Sequence, residues 1–346
     1  MTRRIVLILV AAAFVLTAAR ILSVDVEPGK ESDVAPRPIS PPPPQDGGSA
    51  PIREMIARAR VGDPRGCEGF RIWPLDLPEP MLRADLLPLD EALAHKDLTI
   101  TEQGSGNVPI LLATNHSKRP VFLMAGEMIL GGKQNRIVRQ DVIVPPGARD
   151  LEVPVYCGQQ GRWTVISPTF ESKASVANQA VRKEILDRAD QSAIWQGIHE
   201  NMRKNDVPES TGALQSVFDD KAVQKRIANW TRECAPPRGR ATTGVVVTRG
   251  GRVVGADLFG DPRLYRALEE KILRAYAVEV YDPKPAPADE KTEREEVRRF
   301  LAALGDARMT SLPTPGWGRA FEVETGSARG GALVLNVEPV HVAVMP

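Results

Sequence analysis

Two short polar runs hold the side chains best suited to chemistry in this chain. The first, Gly131-Gly132-Lys133-Gln134-Asn135-Arg136, starts four residues after Glu127; the second is Cys157-Gly158-Gln159-Gln160-Gly161-Arg162-Trp163. Glycines let a backbone approach a ligand closely, successive amide N–H groups at a turn form an anion-binding concavity, and Lys, Arg, Gln and Asn supply further donors. Lys133 and Arg136 therefore read as anion clamps, Gln134 and Asn135 as hydrogen-bond readers, and Gln160, Arg162 and Trp163 as a second wall. The competing reading of the first run is a solvated hairpin tip, because polar residues dominate such turns.

Glu127 and Cys157 are the catalytic candidates. Glu127 lies in an otherwise apolar run, residues 121–130. A carboxylate there is either paired with a cation such as Arg136 or Arg162, or raised in pKa as a general acid or base. Cys157 reads as a buried hydrophobe, a disulfide partner or a nucleophile. The last role needs a nearby cation, which Arg136, Lys133 or Arg162 could supply, and a base, yet the four histidines (His95, His116, His199, His341) form no supporting motif. Metal is not expected, since His-rich and CxxC spacings are missing, and GxxxxGK[ST], GxGxxG and GxSxG contexts are missing too. The cofactor, if any, is undefined.

The elements that must position these residues follow from hydrophobic patterning. Residues 98–102 alternate, 108–113 resume an apolar run, and 121–130, 137–144 and 151–157 read as further strands around Gly131-Gly132 and Pro145-Pro146-Gly147 turns. Short connections pair such strands antiparallel, giving a β-meander or sandwich half. Composition switches at Ser167-Pro168, where Ser167 can cap a helix. Phe170, Ala174, Ala177, Val181, Ile185, Ala189, Ile194, Ile198 and Met202 recur at helical spacing, as one long helix or two broken near Arg188-Ala189-Asp190. A second helical stretch spans 214–230. Residues 243–258 form a hairpin signal around Gly250-Gly251, Asp261 caps a helix over 263–276, 289–304 is a charged helix, and strands over 319–324 and 332–344 end the chain. The fold class is α+β: a β-meander or sandwich half, helices packed on it, and a late hairpin-helix unit.

The N-terminus addresses location. Arg3-Arg4 precede an apolar run, residues 5–19, shorter than the ~20 residues of a comfortable membrane span. Thr17-Ala18-Ala19 offers small residues for a signal peptidase, so residues 1–22 read as a signal peptide or, alternatively, an uncleaved anchor continuing through Ile21 and Leu22. Periplasmic or secreted location follows. Residues 23–60 read as a Pro-rich disordered tether, and 61–346 as a single α+β domain. Of the three cysteines, Cys67 and Cys234 sit in loop-like sequence and are expected to pair, leaving Cys157 free. The formal charge is +1, and −1 once Arg3 and Arg4 are lost with a leader, so no global field gathers nucleic acid or anionic lipid. Nucleic acid is not an expected partner, and membrane contact is expected only through an uncleaved N-terminal segment.

The two runs, with Leu87-Pro88-Leu89-Asp90-Glu91-Ala92-Leu93, Pro154-Val155, Arg182, Asp190-Gln191, Trp195, Ser210-Thr211-Gly212, Asp257 and Tyr276, resemble the ARG and rhodanese-phosphatase-superfamily-associated domain over about residues 73–282. The resemblance implies work near ADP-ribose, NAD-derived metabolites or phosphate esters. This chain departs from the family pattern in having Gly131-Gly132 where Gly-Ala is usual, and Tyr156 before and Gly158-Gln159 after Cys157 where Ser and Val-Glu are usual. Two functions stay open. One is an exported domain binding a small anionic ligand, with hydrolase activity an option. The other is a non-enzymatic interaction module in which the two runs are a structural network, Arg162 pairing with Glu127 and Trp163 packing under the long helix.

Overall fold

The computed structural model describes residues 48–346 apart from 105–108, 209, 237–238, 282–285 and 287. The leader and most of the expected tether lie outside the described residues. The tether reading gives way at residue 50 to helix α1 (Ala50–Arg58), which carries Pro51 in its first turn and buries Ile52, Met55 and Ile56, the i, i+3, i+4 stripe of an amphipathic helix. Strands β1 (Arg60–Val61), β2 (Arg65–Cys67) and β3 (Phe70–Asp76) follow.

The next stretch runs β4 (Leu87–Pro88), α2 (Leu89–Ala94), β5 (Leu98–Glu102), β6 (Ile110–Asn115), β7 (Val121–Leu123), β8 (Met128–Gly131), β9 (Arg136–Val138), β10 (Val142–Val144), β11 (Leu151–Cys157) and β12 (Phe170–Glu171). Six of these strands pair antiparallel in the order β12-β8-β9-β11-β6-β5, while β10-β7-β4 form a small second sheet. Ile100, Leu111, Leu123, Ile129, Val138, Val142 and Val155 share one apolar cluster between the two sheets, as a sandwich requires. Two expected strands are broken. Residues 121–130 split into β7 and β8 because Gly126 takes φ +91° and Glu127 folds its carboxylate back onto the Met124 N–H. Residues 137–144 split into β9 and β10 around Arg139-Gln140-Asp141, where Asp141 accepts the Ala125 N–H at 2.8 Å.

Helices α3 (Gln179–Leu186), α4 (Gln191–Lys204), α5 (Leu214–Asp219) and α6 (Lys221–Cys234) come next. The break near Arg188 is where patterning puts it. The expected start at Ser167-Pro168 is not: residues 170–171 pair with β8 instead, and Ser167 turns its hydroxyl onto the Thr169 carbonyl. Asp220 divides the expected 214–230 helix by capping α6 through Ala222 and Val223 N–H. The chain ends with β13 (Thr242–Arg249), β14 (Arg252–Phe259), α7 (Pro262–Ala277), α8 (Glu290–Gly305), β15 (Arg308–Leu312), β16 (Arg319–Thr325), β17 (Ala328–Leu335) and β18 (Glu338–Met345). The expected 332–344 strand is thus a hairpin, turned at Asn336 with φ +56°.

These late strands join β1–β3 in a nine-stranded sheet, ordered β1-β3-β13-β14-β18-β17-β16-β15 with β2 beside β3. Strand alternation assigns its two faces: Val245 and Val247 enter the core under the helices, whereas Val246 between them enters the core under α1 and α8. Cys67 and Cys234 form the expected disulfide, tying β2 to the end of α6 with Cα atoms 5.5 Å apart, and Cys157 is free and buried.

Candidate functional site

The two polar runs do meet. Antiparallel pairing of β8, β9 and β11 sets Cys157 opposite Arg136, and the turn at Gly131-Gly132 brings the residues after each strand together. That turn needs glycine: φ is +145° at Gly131 and +50° at Gly132, and a Cβ on Gly132 would stand 2.5 Å from Phe170 Cζ and 2.6 Å from Glu102 Oε1. The family's usual Ala at this position would require Phe170 and Glu102 to move.

What meets there is a closed set of hydrogen bonds. Arg162 Nε donates to Gln159 Oε1 at 2.8 Å; its terminal nitrogens reach the carbonyls of Gly132 at 2.7 Å, Gly131 at 3.1 Å and Thr164 at 3.0 Å, and Asn135 Oδ1 at 3.1 Å. Gln134 is fully buried; its carbonyl accepts from Arg136 at 2.8 Å and faces the Cys157 sulfur at 3.1 Å, while its amide donates to the Gln160 carbonyl. Cys157 Sγ also stands 3.0 Å from the Gln159 carbonyl, so it serves as a donor between two acceptors. Gln160 Oε1 bonds His199 Nε2 at 2.7 Å. Arg136, 1% exposed, has Glu102 as its counter-charge at 3.6 Å, and the same carboxylate accepts the Lys133 backbone N–H at 2.8 Å. Burial lowers the pKa of both Arg136 and Arg162 from the ordinary guanidinium value; in Arg136 the Cys157 and Glu102 groups oppose that shift, and in Arg162 the neighbouring Arg136 adds to it. The solvated hairpin tip is therefore corrected: Gln134 and Arg136 are interior residues.

Two expectations about partners are also corrected. Glu127 pairs with neither Arg136 nor Arg162; its carboxylate contacts Lys271 Nζ, which reaches Asp90 at 2.6 Å. Burial raises Glu127 to about 7 against the pull of Lys271. Burial works against the Lys271 charge too, but Glu127 and Asp90 hold its pKa above the usual lysine value. Trp163 does not pack under a helix: it is 57% exposed, with Val165 at 52% and Ile166 at 66% beside it.

Residues that the family pattern singles out beyond the two runs explain themselves as supports. Gln191 brackets the Cys157 peptide, donating to its carbonyl at 3.0 Å and accepting its N–H at 2.8 Å. Asp190 caps α4 through the Ala193 N–H, and Thr211 Oγ1 accepts from Gln159 Nε2 at 2.7 Å. Arg182 and Asp257 form a bidentate pair in the core at 2.5 and 3.0 Å, with Tyr276 Oη 3.5 Å away. Asp257 in turn holds His341 Nε2 at 3.3 Å, whose Nδ1 bonds Asp141 at 2.7 Å while the ring stacks on Phe259. Burial alone would lower the His341 pKa, but the two carboxylates override it and raise it to about 9; Asp257, despite its own burial, lies well below the carboxylate range because of Arg182 and His341. No local sequence signal marks Glu102, Asp141, Lys271 or His341 as partners, because each acquires its partner from more than thirty residues away or across sheets. Among the described residues, no group of three or more His, Cys, Asp or Glu side chains could hold a metal ion.

The ARG and Rhodanese-Phosphatase-superfamily-associated Protein domain matches residues 58–345, nearly the whole described chain and well beyond the 73–282 core expected from motifs. The chain belongs to this family. No curated protein and no solved structure matches it.

Proposed function

We propose that this member of the ARG and rhodanese-phosphatase-superfamily-associated family is an exported, non-enzymatic interaction module, in which the two polar runs brace an apolar loop that docks on a partner protein. The observation that carries the reading is the contrast within one loop. Arg162 closes on three carbonyls and two side-chain amides, while Trp163, Val165 and Ile166, directly after it, are among the few large apolar side chains left in water. The Ile166 N–H to the Gly132 carbonyl at 3.1 Å and the Gly161 N–H to the Thr211 carbonyl at 2.7 Å fix both sides of the loop. A rigid apolar tip loses little entropy on docking, which favours binding.

The same geometry argues against turnover at this cluster. Apart from Arg136 Nε, the cluster's arginine, glutamine and thiol donors named above already have acceptors, so a ligand would have to displace them. Gln159 both donates to Thr211 and accepts from Arg162; a glutamate there could join the two only with the Thr211 hydroxyl turned round as donor. Export is supported by the apolar leader-like segment and by the Cys67–Cys234 disulfide, a bond that persists in oxidising compartments. The test is a photocrosslinking side chain placed at Val165, with equally exposed Val337 as control. A discrete crosslinked partner from Val165 and none from Val337 supports the reading; equal labelling from both sites defeats it.

A further inference from the structure

A second region carries chemistry that the polar runs do not. Between the edge formed by β15–β16 and the segment linking β9 to β10 lies a cleft of about 330 Å³, within the usual range for small-molecule sites, walled by Arg139, Arg188, Gln140, Glu152, Pro313 and Pro315. It shares Arg139, Gln140 and Arg188 with a narrow throat of about 20 Å³, room for one water, lined in part by Asp141 and Glu322.

The two arginines differ from those of the closed network. Neither Arg139 nor Arg188 forms an ion pair with a carboxylate among the described residues, and Arg139 Nε, like Arg136 Nε in the network, is buried without a hydrogen-bond partner; what sets Arg139 and Arg188 apart is that both border open volume. Arg139 is nevertheless held in place: its guanidinium lies 5.1 Å above the Tyr156 ring, whose hydroxyl donates to the Ala189 carbonyl at 2.8 Å. Tyr156 is thus a plate between Arg139 and the segment carrying Arg188. Arg188 sits at φ +57°, the left-handed turn that ends α3, with the Arg188 N–H on the Ile185 carbonyl at 3.1 Å and the Ala189 N–H on the Glu184 carbonyl at 3.0 Å, so the helix terminus fixes its backbone at an energetic cost for a non-glycine residue. The opposite wall is fixed as well, since Gln140 Nε2 donates to the Pro313 carbonyl at 2.9 Å and the prolines flank Thr314.

We propose that this cleft binds a small polyhydroxylated anion, of the sugar-phosphate or sugar-acid class. The anionic group bridges the Arg139 and Arg188 guanidiniums, and hydroxyls donate to Glu152 on the cleft wall and to Glu322 in the adjoining throat. A bare anion fits less well, because those two carboxylates cancel the charge of the two arginines and repel any ligand without hydroxyl donors. Asp141 is a fixed acceptor at the end of the throat, because both its oxygens are engaged by the Ala125 N–H and His341. The site is independent of the docking loop.

The experiment is calorimetric titration of the full chain with glucose 6-phosphate, and with glucose and inorganic phosphate as comparisons. Saturable binding of glucose 6-phosphate is expected, with glucose and inorganic phosphate at least tenfold weaker. Arg139→Gln and Arg188→Gly should each weaken glucose 6-phosphate at least tenfold, the loss of one charge-assisted bidentate contact. Arg188→Gly also removes the left-handed strain, so its melting temperature should equal or exceed that of the parent; this separates lost binding from lost folding. No saturable binding of glucose 6-phosphate, or unchanged affinity in Arg188→Gly, overturns the site. Inorganic phosphate binding as tightly as glucose 6-phosphate overturns the assigned ligand class.

Discussion

Arg136 and Arg162 on one side of β11, and Arg139 and Arg188 around the cleft, are four guanidiniums in two opposite conditions. The first pair sits in the most conspicuous sequence of the chain and is engaged on carbonyls, amides and Glu102. The second pair sits in unremarkable sequence and faces open space. The difference teaches that a dense polar motif reports a demand for hydrogen bonds. That demand can come from the fold: buried amides and guanidiniums must be satisfied wherever they are, and a glycine turn closing on them satisfies many at once. A ligand site shows itself instead by donors left without partners beside a cavity.

The largest effect expected lies in the core pair that anchors neither region directly. Asp257→Asn leaves Arg182 charged and buried and removes an acceptor from His341, so it should cost about 3–5 kcal/mol in urea unfolding. A loss under about 1 kcal/mol would mean that the Arg182–Asp257–His341–Asp141 chain is not what joins β14, β18 and the β9–β10 segment.

Next in size is the pH dependence. The His341 pKa rises from 6.5 to about 9 on folding, so its contribution is complete below pH 6.5 and lost as pH climbs through 9. Glu127, raised from 4.5 to about 7 by burial, acts in the same direction at lower pH: its contribution is complete below 4.5 and gone above 7. Unfolding free energy should therefore fall between pH 6.5 and 9, by on the order of 3 kcal/mol from the histidine. His341→Asn should flatten that decline; a parent profile level across this window would contradict a charged His341 between its two carboxylates.

The smallest effect sharpens the contrast inside the docking loop. Replacing Trp163, Val165 and Ile166 together with serine should shift stability by no more than about 0.5 kcal/mol, because the three side chains are exposed. The variant should lose the partner crosslink while its melting curve overlays the parent's. A drop of several degrees would show that the loop packs on the body of the protein.

How much of this was legible in the sequence follows from the range of each interaction. The local signals agree with the structure: the hairpin of β13 and β14, the Asp261 cap, the charged helix near 289–304, the break near Arg188 and the positive φ at Gly131-Gly132 are all written within a few residues. The Cys67–Cys234 bond also agreed, from the loop character of its two ends. The misses are non-local. Nothing in residues 60–76 announces pairing with β13 some 170 residues later, and that pairing is what makes the nine-stranded sheet. The two broken strands, 121–130 and 137–144, look continuous because their apolar runs are; the polar residues inside them, Glu127 and Asp141, both turn onto N–H groups of the β7–β8 break, those of Met124 and Ala125. Within the candidate site, convergence of the two runs was legible from their glycines and spacing. Their closure was not, since it depends on Glu102, Gln191 and Thr211, whose contacts exist only in three dimensions. Arg139 and Arg188 escaped notice because unpartnered donors have no sequence signature.

The claim that the conspicuous arginines are scaffold and the inconspicuous ones are free is tested most directly by urea unfolding of Arg162→Ala beside Arg139→Ala. Removing Arg162 takes one donor from each of the carbonyls of Gly131, Gly132 and Thr164 and the side-chain oxygens of Asn135 and Gln159, and should cost roughly 2–4 kcal/mol. Removing Arg139 breaks its contacts with the Tyr156 ring and hydroxyl and should cost no more than about 1 kcal/mol. Equal losses from the two variants, or the larger loss from Arg139→Ala, would contradict the account.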